Sequence, residues 1–103
     1  MKVLLVPNLT KTDALLHTEN IARRLRSLGV SSMMPPKYRA SCAGLPVTFC
    51  AAANEGLEAC DVVIAIGGDG TIIHSAKEAA AYGKPVLGDK VGRLGFVAGL
   101  ETN

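Results

Sequence analysis

The residues best suited to chemistry in this chain stand together at Gly67-Gly68-Asp69-Gly70-Thr71. Glycines let a backbone take positive φ and let a ligand come close, because no Cβ intervenes. A helix that starts at such a turn presents amides with no internal partner and partial positive charge, a natural seat for phosphate oxygens. Thr71 could cap that helix or hydrogen-bond a phosphate. Asp69 is the unexpected member, since a carboxylate repels phosphate. It could accept a proton from a substrate hydroxyl, or bind a cation that neutralises phosphate charge, and both roles suit phosphoryl transfer. The plain alternative is that Gly-Asp-Gly is simply a good turn sequence. The segment is neither a Gly-x-Gly-x-x-Gly fingerprint nor a Gly-x-x-x-x-Gly-Lys-Ser/Thr loop, so those motifs do not support nucleotide binding here.

The turn must be positioned by the elements around it. Residues 62–66 are a five-residue apolar run, Val-Val-Ile-Ala-Ile, expected to form a buried strand directly before the turn. Residues 71–82 carry a helical pattern, with Ile72, Ile73, Ala76, Ala79 and Ala80 expected on the apolar side, and Gly83 ends it. Pro85-Val86-Leu87 opens a further strand. Upstream, residues 3–6 read as another buried strand closed by Pro7-Asn8. A weak capping box over Thr10 to Asp13 is expected to start a helix with Ala14, Thr18, Ile21, Leu25 and Leu28 on one stripe, capped by Gly29. Residues 30–34 predict a second strand, stopped by Pro35-Pro36. Residues 37–46 read as loop or short helix, residues 47–49 as a short strand, and residues 51–60 as a short helix weakened by Gly56. Strands alternating with helices predict one α/β domain over residues 1–103, a doubly wound, mainly parallel sheet flanked by helices. In such sheets ligands collect outside the carboxyl ends of the strands, where the glycine turn falls.

Composition narrows the function classes. Of 103 residues 49% are apolar and 19% charged, with a net charge of +2, as in a soluble globular domain rather than a disordered chain. The one basic cluster, Arg23, Arg24 and Arg26, lies on the polar side of a helix and reads as a solvated face, so no nucleic acid is expected as partner. Cys42, Cys50 and Cys60 have no metal-ligand spacing, and read as small buried apolar residues in a reducing compartment. The opening apolar run is too short for a signal peptide, and no run reaches membrane-spanning length. A cytoplasmic protein without a membrane partner is expected.

Gly67-Gly68-Asp69-Gly70-Thr71 resembles the diagnostic motif of the NAD kinases, a motif shared more loosely with diacylglycerol and sphingoid-base kinases. Residues 88–97, Gly-Asp-Lys-Val-Gly-Arg-Leu-Gly-Phe-Val, resemble the Gly-Ile-Asn-x-Gly-x-Leu-Gly-Phe-Leu segment found about twenty residues downstream in NAD kinases. Val6-Pro7-Asn8 with Lys11 also resembles the start of bacterial members. The resemblance implies transfer of phosphate from ATP, or in some members polyphosphate, to the 2′-hydroxyl of the NAD adenosine ribose, with Mg²⁺ or another divalent cation. It implies Asp69 as the proton acceptor and Gly67, Gly68, Gly70 and Thr71 as nucleotide contacts. It also implies His74, in the first turn of the following helix, against NAD, and Leu94, Gly95 and Phe96 along the adenosine pocket. His74 could equally be a solvent-facing helix residue, and Phe96 ordinary core. Asp89 and Lys90 depart from the family pattern, which puts contacts from that turn in doubt; a local ion pair between them is one expectation. Family members continue into a β-rich NAD-binding domain and assemble as dimers or tetramers. Residues 1–103 are therefore expected to be the N-terminal domain, inactive alone and prone to self-association through the face that domain would cover. A lipid kinase of the diacylglycerol or sphingoid type, and a non-catalytic nucleotide-binding module, are the alternatives.

Overall fold

Residues 3–6 are apolar without interruption because the strand they form is covered on both faces. This strand, β1 (Lys2–Pro7), is the centre of a five-stranded sheet in the computed structural model, which describes residues 1–90. On one side β1 pairs in parallel with β2 (Ser31–Met34), and β2 with β3 (Thr48–Phe49). On the other side it pairs in parallel with β4 (Val62–Gly67), and β4 with β5 (Val86–Lys90). The order is β3-β2-β1-β4-β5.

Alternation along the strands sends neighbouring side chains to two separate cores. Val3, Leu5 and Ile66 pack with Ala22, Met34, Tyr38 and Cys42 on the face covered by α1 (Ala14–Ser27). Leu4 and Val63 pack with Cys60 and Ala79 on the opposite face, under α2 (Glu55–Ala59) and α3 (Asp69–Ala80). Helices on both faces of a parallel sheet make the domain a doubly wound α/β fold, as the strand–helix alternation requires.

Local chemistry corrects several sequence expectations. The capping box before α1 does not form: Asn8 Oδ1 accepts hydrogen bonds from the Thr10 amide at 3.1 Å and the Thr10 hydroxyl at 2.6 Å. Asp13 precedes the helix at φ 66° and makes no capping bond. Along α1 the buried positions are Ala14, Thr18 and Ala22, with Ile21 and Leu25 packed beside them. The Thr18 hydroxyl is tolerated there because it donates to the Ala14 carbonyl at 2.7 Å. Leu28 is 64% exposed, because the helix ends at Ser27 and Gly29 turns the chain away at φ 78°. α3 begins at Asp69 rather than Thr71, and its buried face is Ile72, Ser75 and Ala79; Ile73, Ala76 and Ala80 are exposed.

Gly56 permits the close packing of α2, which is only five residues long. A Cβ there would stand 2.5 Å from Leu4 Cδ1 and 3.1 Å from Cys50 Sγ, so only glycine lets the helix lie this close to β1. The obscure stretch after β2 contains a 3₁₀ turn, Pro36–Tyr38, whose Tyr38 hydroxyl donates to the Pro7 carbonyl at 2.7 Å. Cys42, Cys50 and Cys60 are all buried free thiols, and burial pushes each thiol above its usual pKa. None of the helices among the described residues is long and apolar enough to cross a membrane.

Candidate phosphoryl-transfer site

The chain runs from β1 outward through β2 to β3, then returns to the other side of β1 as β4 and continues to β5. The strand order therefore reverses between β1 and β4, and a crevice opens where the two strands end. The Asn8 amide donates to the Ile66 carbonyl at 2.8 Å, holding the end of β1 against β4. β4 finishes at Gly67, Gly68 alone makes the connection, and Asp69 is the first residue of α3.

The glycines serve space rather than unusual backbone angles. The only positive-φ glycines among the described residues are Gly29 and Gly83, so Gly67, Gly68 and Gly70 do not use their freedom to adopt a left-handed backbone. A Cβ on Gly67 would lie 3.0 Å from both Asn8 Cβ and Thr71 Oγ1. One on Gly68 would meet the Lys11 ammonium at 3.3 Å, whereas Gly70 faces open space. No side chain caps α3, whose Ncap residue is the extended Gly68; Thr71 lies within the first turn and is not the cap. The first amides of a helix so begun remain available to an anion.

Beside this helix start lies a cleft of about 460 Å³ lined by Asn8, Lys37, Tyr38, Gly70, Thr71, His74 and Ser75, among others. Gly70, Thr71 and His74 are thus brought to one wall. His74 sits in the second turn of α3, not the first, is 73% exposed, and has Nε2 3.5 Å from Glu78 Oε2. Asp69 precedes Gly70 in the chain but is not itself among the residues lining this cleft; its side chain is 73% exposed, and its Oδ1 lies 3.0 Å from Lys90 Nζ. Asp69 also adds favourable negative charge at the positive end of α3. Leu94, Gly95 and Phe96 lie outside the described residues.

The two departures from the family pattern do not pair with each other. Adjacent strand residues face opposite sides of a sheet. Lys90 pairs with Asp69, while Asp89, 8% exposed, places Oδ2 3.0 Å from His17 Nε2 on α1. The end of β5 is therefore tied to α3 by one ion pair and to α1 by a polar contact.

The sequence marked Asn8 and Lys11 only as a strand stop and part of a family-like opening, and gave no role to Lys37 or Ser75, although all four adjoin the site. Asn8 and Lys11 follow β1 as the glycines follow β4, a parallel that marks both strand ends as one place. Lys37 came from the stretch with no legible pattern. Ser75, 2% exposed, lines the cleft with a hydroxyl that has no hydrogen-bond partner among the described residues, which no periodicity could reveal. Three lysines from three parts of the chain adjoin the site, Lys11 beside Gly68, Lys37 in the cleft wall and Lys90 against Asp69, a balance suited to anionic ligands.

Among the described residues no group of three His, Cys, Asp or Glu side chains could hold a metal ion. The nearest counter-charge to Asp69 is the Lys90 ammonium, which a cation on that carboxylate would have to displace. The arrangement does not fit a divalent cation held by these residues.

A doubly wound α/β domain with an uncapped helix N-terminus and a cleft beside it, where the strand order reverses, belongs to the broad class of open α/β folds in which ligands collect at that place. Comparison with known proteins is specific. The family described as ATP-NAD kinase N-terminal domain matches residues 3–103. The chain is 36% identical over 101 residues, 98% of its length, to an NAD kinase of Symbiobacterium thermophilum, covering 35% of that protein. Over shorter stretches it is 54% identical to an NAD kinase of Psychrobacter arcticus (46 residues, 45% of this chain and 14% of the relative). It is 47% identical to one of Acidithiobacillus ferrooxidans over 60 residues, 58% of this chain and 19% of the relative. The chain belongs to the NAD kinase family, matching its N-terminal domain. It spans about a third or less of the length of these relatives.

Proposed function

We propose that this domain carries the phosphoryl-transfer half of an enzyme that phosphorylates NAD at the 2′-hydroxyl of its adenosine ribose, with ATP as donor. Polyphosphate is the second donor the family suggests. The observation that carries the reading is Asp69 opening α3 directly before Gly70 and Thr71, which line a cleft with Lys37 and His74, in a chain of this family. In the reaction the ribose O–H bond breaks and Asp69 takes the proton. The oxygen forms a bond to the γ-phosphorus as the bond to the ADP leaving oxygen breaks, so NADP and ADP result. Gly67, Gly68, Gly70 and Thr71 give the phosphates close access to the backbone, and His74 faces the NAD. Family resemblance assigns Leu94, Gly95 and Phe96, outside the described residues, to contacts with the adenosine. Most of the work is positioning and charge stabilisation. Magnesium or another divalent cation arrives with the phosphate donor, as is usual for an ion that prefers phosphate oxygens and water.

The same reading assigns much of the NAD site to a β-rich domain outside residues 1–103, and makes the enzyme a cytoplasmic homo-oligomer with no nucleic-acid or membrane partner. The test is NADP formation by the complete gene product given ATP, Mg²⁺ and NAD. A diacylglycerol or sphingoid base that outcompetes NAD as acceptor would overturn the choice of substrate. Robust turnover by residues 1–103 alone would overturn the two-domain part.

A further inference from the structure

Lys90 stands where NAD kinases have Asn in the segment resembled by residues 88–97, and its side chain is not idle. It projects from the end of β5 to the face of the sheet that carries α3, and its ammonium lies 3.0 Å from Asp69 Oδ1. The two ends differ in environment: the Lys90 side chain is 18% exposed and that of Asp69 73% exposed. The ammonium therefore belongs to the more enclosed side chain, and the carboxylate to the more exposed one. An ion pair with one end this exposed adds little to folding. What the contact does is give Oδ1 of an exposed carboxylate a defined neighbour.

We propose that Lys90 is a positioning residue for Asp69, holding the carboxylate in one orientation and offsetting its charge where phosphate must approach. This rests on the reading of Asp69 as proton acceptor. It answers the difficulty raised by a carboxylate in an anion-binding turn. Asp69 alone would repel the donor, but paired with an ammonium it presents a nearly neutral edge while keeping an oxygen able to accept a proton. The residue that performs this is supplied by β5, whose end is fixed from the other face by the His17–Asp89 contact at 3.0 Å. A shift of about 1 Å in a reacting group can cost on the order of 100-fold in rate, so a tether on the base matters more to turnover than to stability.

The experiment measures steady-state kinetics of NADP formation by the complete gene product and its Lys90→Met, Lys90→Arg, Asp69→Asn and Asp69→Asn/Lys90→Met variants. Lys90→Met is expected to lower kcat by roughly 10- to 100-fold with a much smaller change in KM for NAD, and Lys90→Arg to recover most of the loss. Because Lys90 acts through Asp69, adding Lys90→Met to Asp69→Asn is expected to cost nothing further. The proposal is overturned if Lys90→Met keeps the parent kcat, if its loss appears in KM alone, or if Lys90→Arg is no better than Lys90→Met. Losses that multiply in the double variant would also overturn it. If Lys90→Met does not fold, Lys90→Arg decides: a parent-like kcat supports the tether, and a loss as large as that of Asp69→Asn counts against it. Full activity in Asp69→Asn would instead remove the proton-acceptor reading on which the proposal stands, a separate failure.

Discussion

Gly70→Ala should make the domain more stable and the enzyme slower. Gly70 is the second residue of α3, its backbone is not left-handed, and a Cβ added there meets nothing within 4 Å. Glycine within a helix costs about 0.5–1 kcal/mol relative to alanine, so the substitution is expected to stabilise by up to that amount. For a domain of this size that corresponds to a rise in Tm of roughly 2–8 °C. The same open space is where a ligand can come against the backbone, and a methyl group would fill it. Gly67→Ala is the opposite case. Its Cβ would press on Asn8 Cβ and Thr71 Oγ1 at 3.0 Å and Thr71 Cβ at 3.1 Å, contacts that neither neighbour can relieve by a simple rotation of a distant group. A loss of about 1–3 kcal/mol is expected from such overpacking. Thermal melts followed by circular dichroism give the two signs, and NADP formation gives the rates. The reasoning is refuted if Gly70→Ala lowers Tm, or if it leaves turnover at the parent level.

Stability should fall in base. Burial, then the neighbouring Cys42 and Glu78, push the Tyr38 hydroxyl up to about 12 from 10.0. The unfolded chain therefore loses that proton first, and the stabilisation, complete below about pH 10, is lost as pH rises towards 12. Tyr38→Phe should flatten this dependence in urea titrations, while destabilising at neutral pH by about 1–3 kcal/mol because the Pro7 carbonyl loses its donor; an unchanged slope would contradict it. The three cysteines, at most 4% exposed and with thiols held protonated by burial, should resist a thiol reagent at pH 8 and react fully in denaturant. Rapid labelling of the folded protein would contradict their burial.

The parts of the fold that were legible in the sequence are those written in continuous apolar runs and glycine stops. Val3 to Val6 and Val62 to Ile66 announced buried parallel strands, and Gly29 and Gly83 marked helix ends by the positive φ they adopt. What stayed hidden depends on contacts between distant residues. Gly56 looks like a flaw in a helix until Leu4 is seen against it, and Asn8 spends its side chain on Thr10 instead of leaving Thr10 to cap α1. The same holds at the site. Glycine and carboxylate types revealed the turn, but not that Asp69 and Gly70 already belong to α3, nor that adjacent Asp89 and Lys90 serve opposite faces of the sheet. Lys37 and Ser75 reach the cleft only because β2 and α3 pack as they do.

The central claim is that the Asp69 carboxylate accepts the ribose proton. The direct measurement is kcat for NADP formation by the complete gene product carrying Asp69→Asn, with its melting curve beside it. A general base typically contributes roughly 10²- to 10⁴-fold, so the expected result is a loss of that size with folding preserved, since the side chain is 73% exposed and its contact with Lys90 contributes little to stability. A folded Asp69→Asn enzyme that turns over at the parent rate would contradict the account.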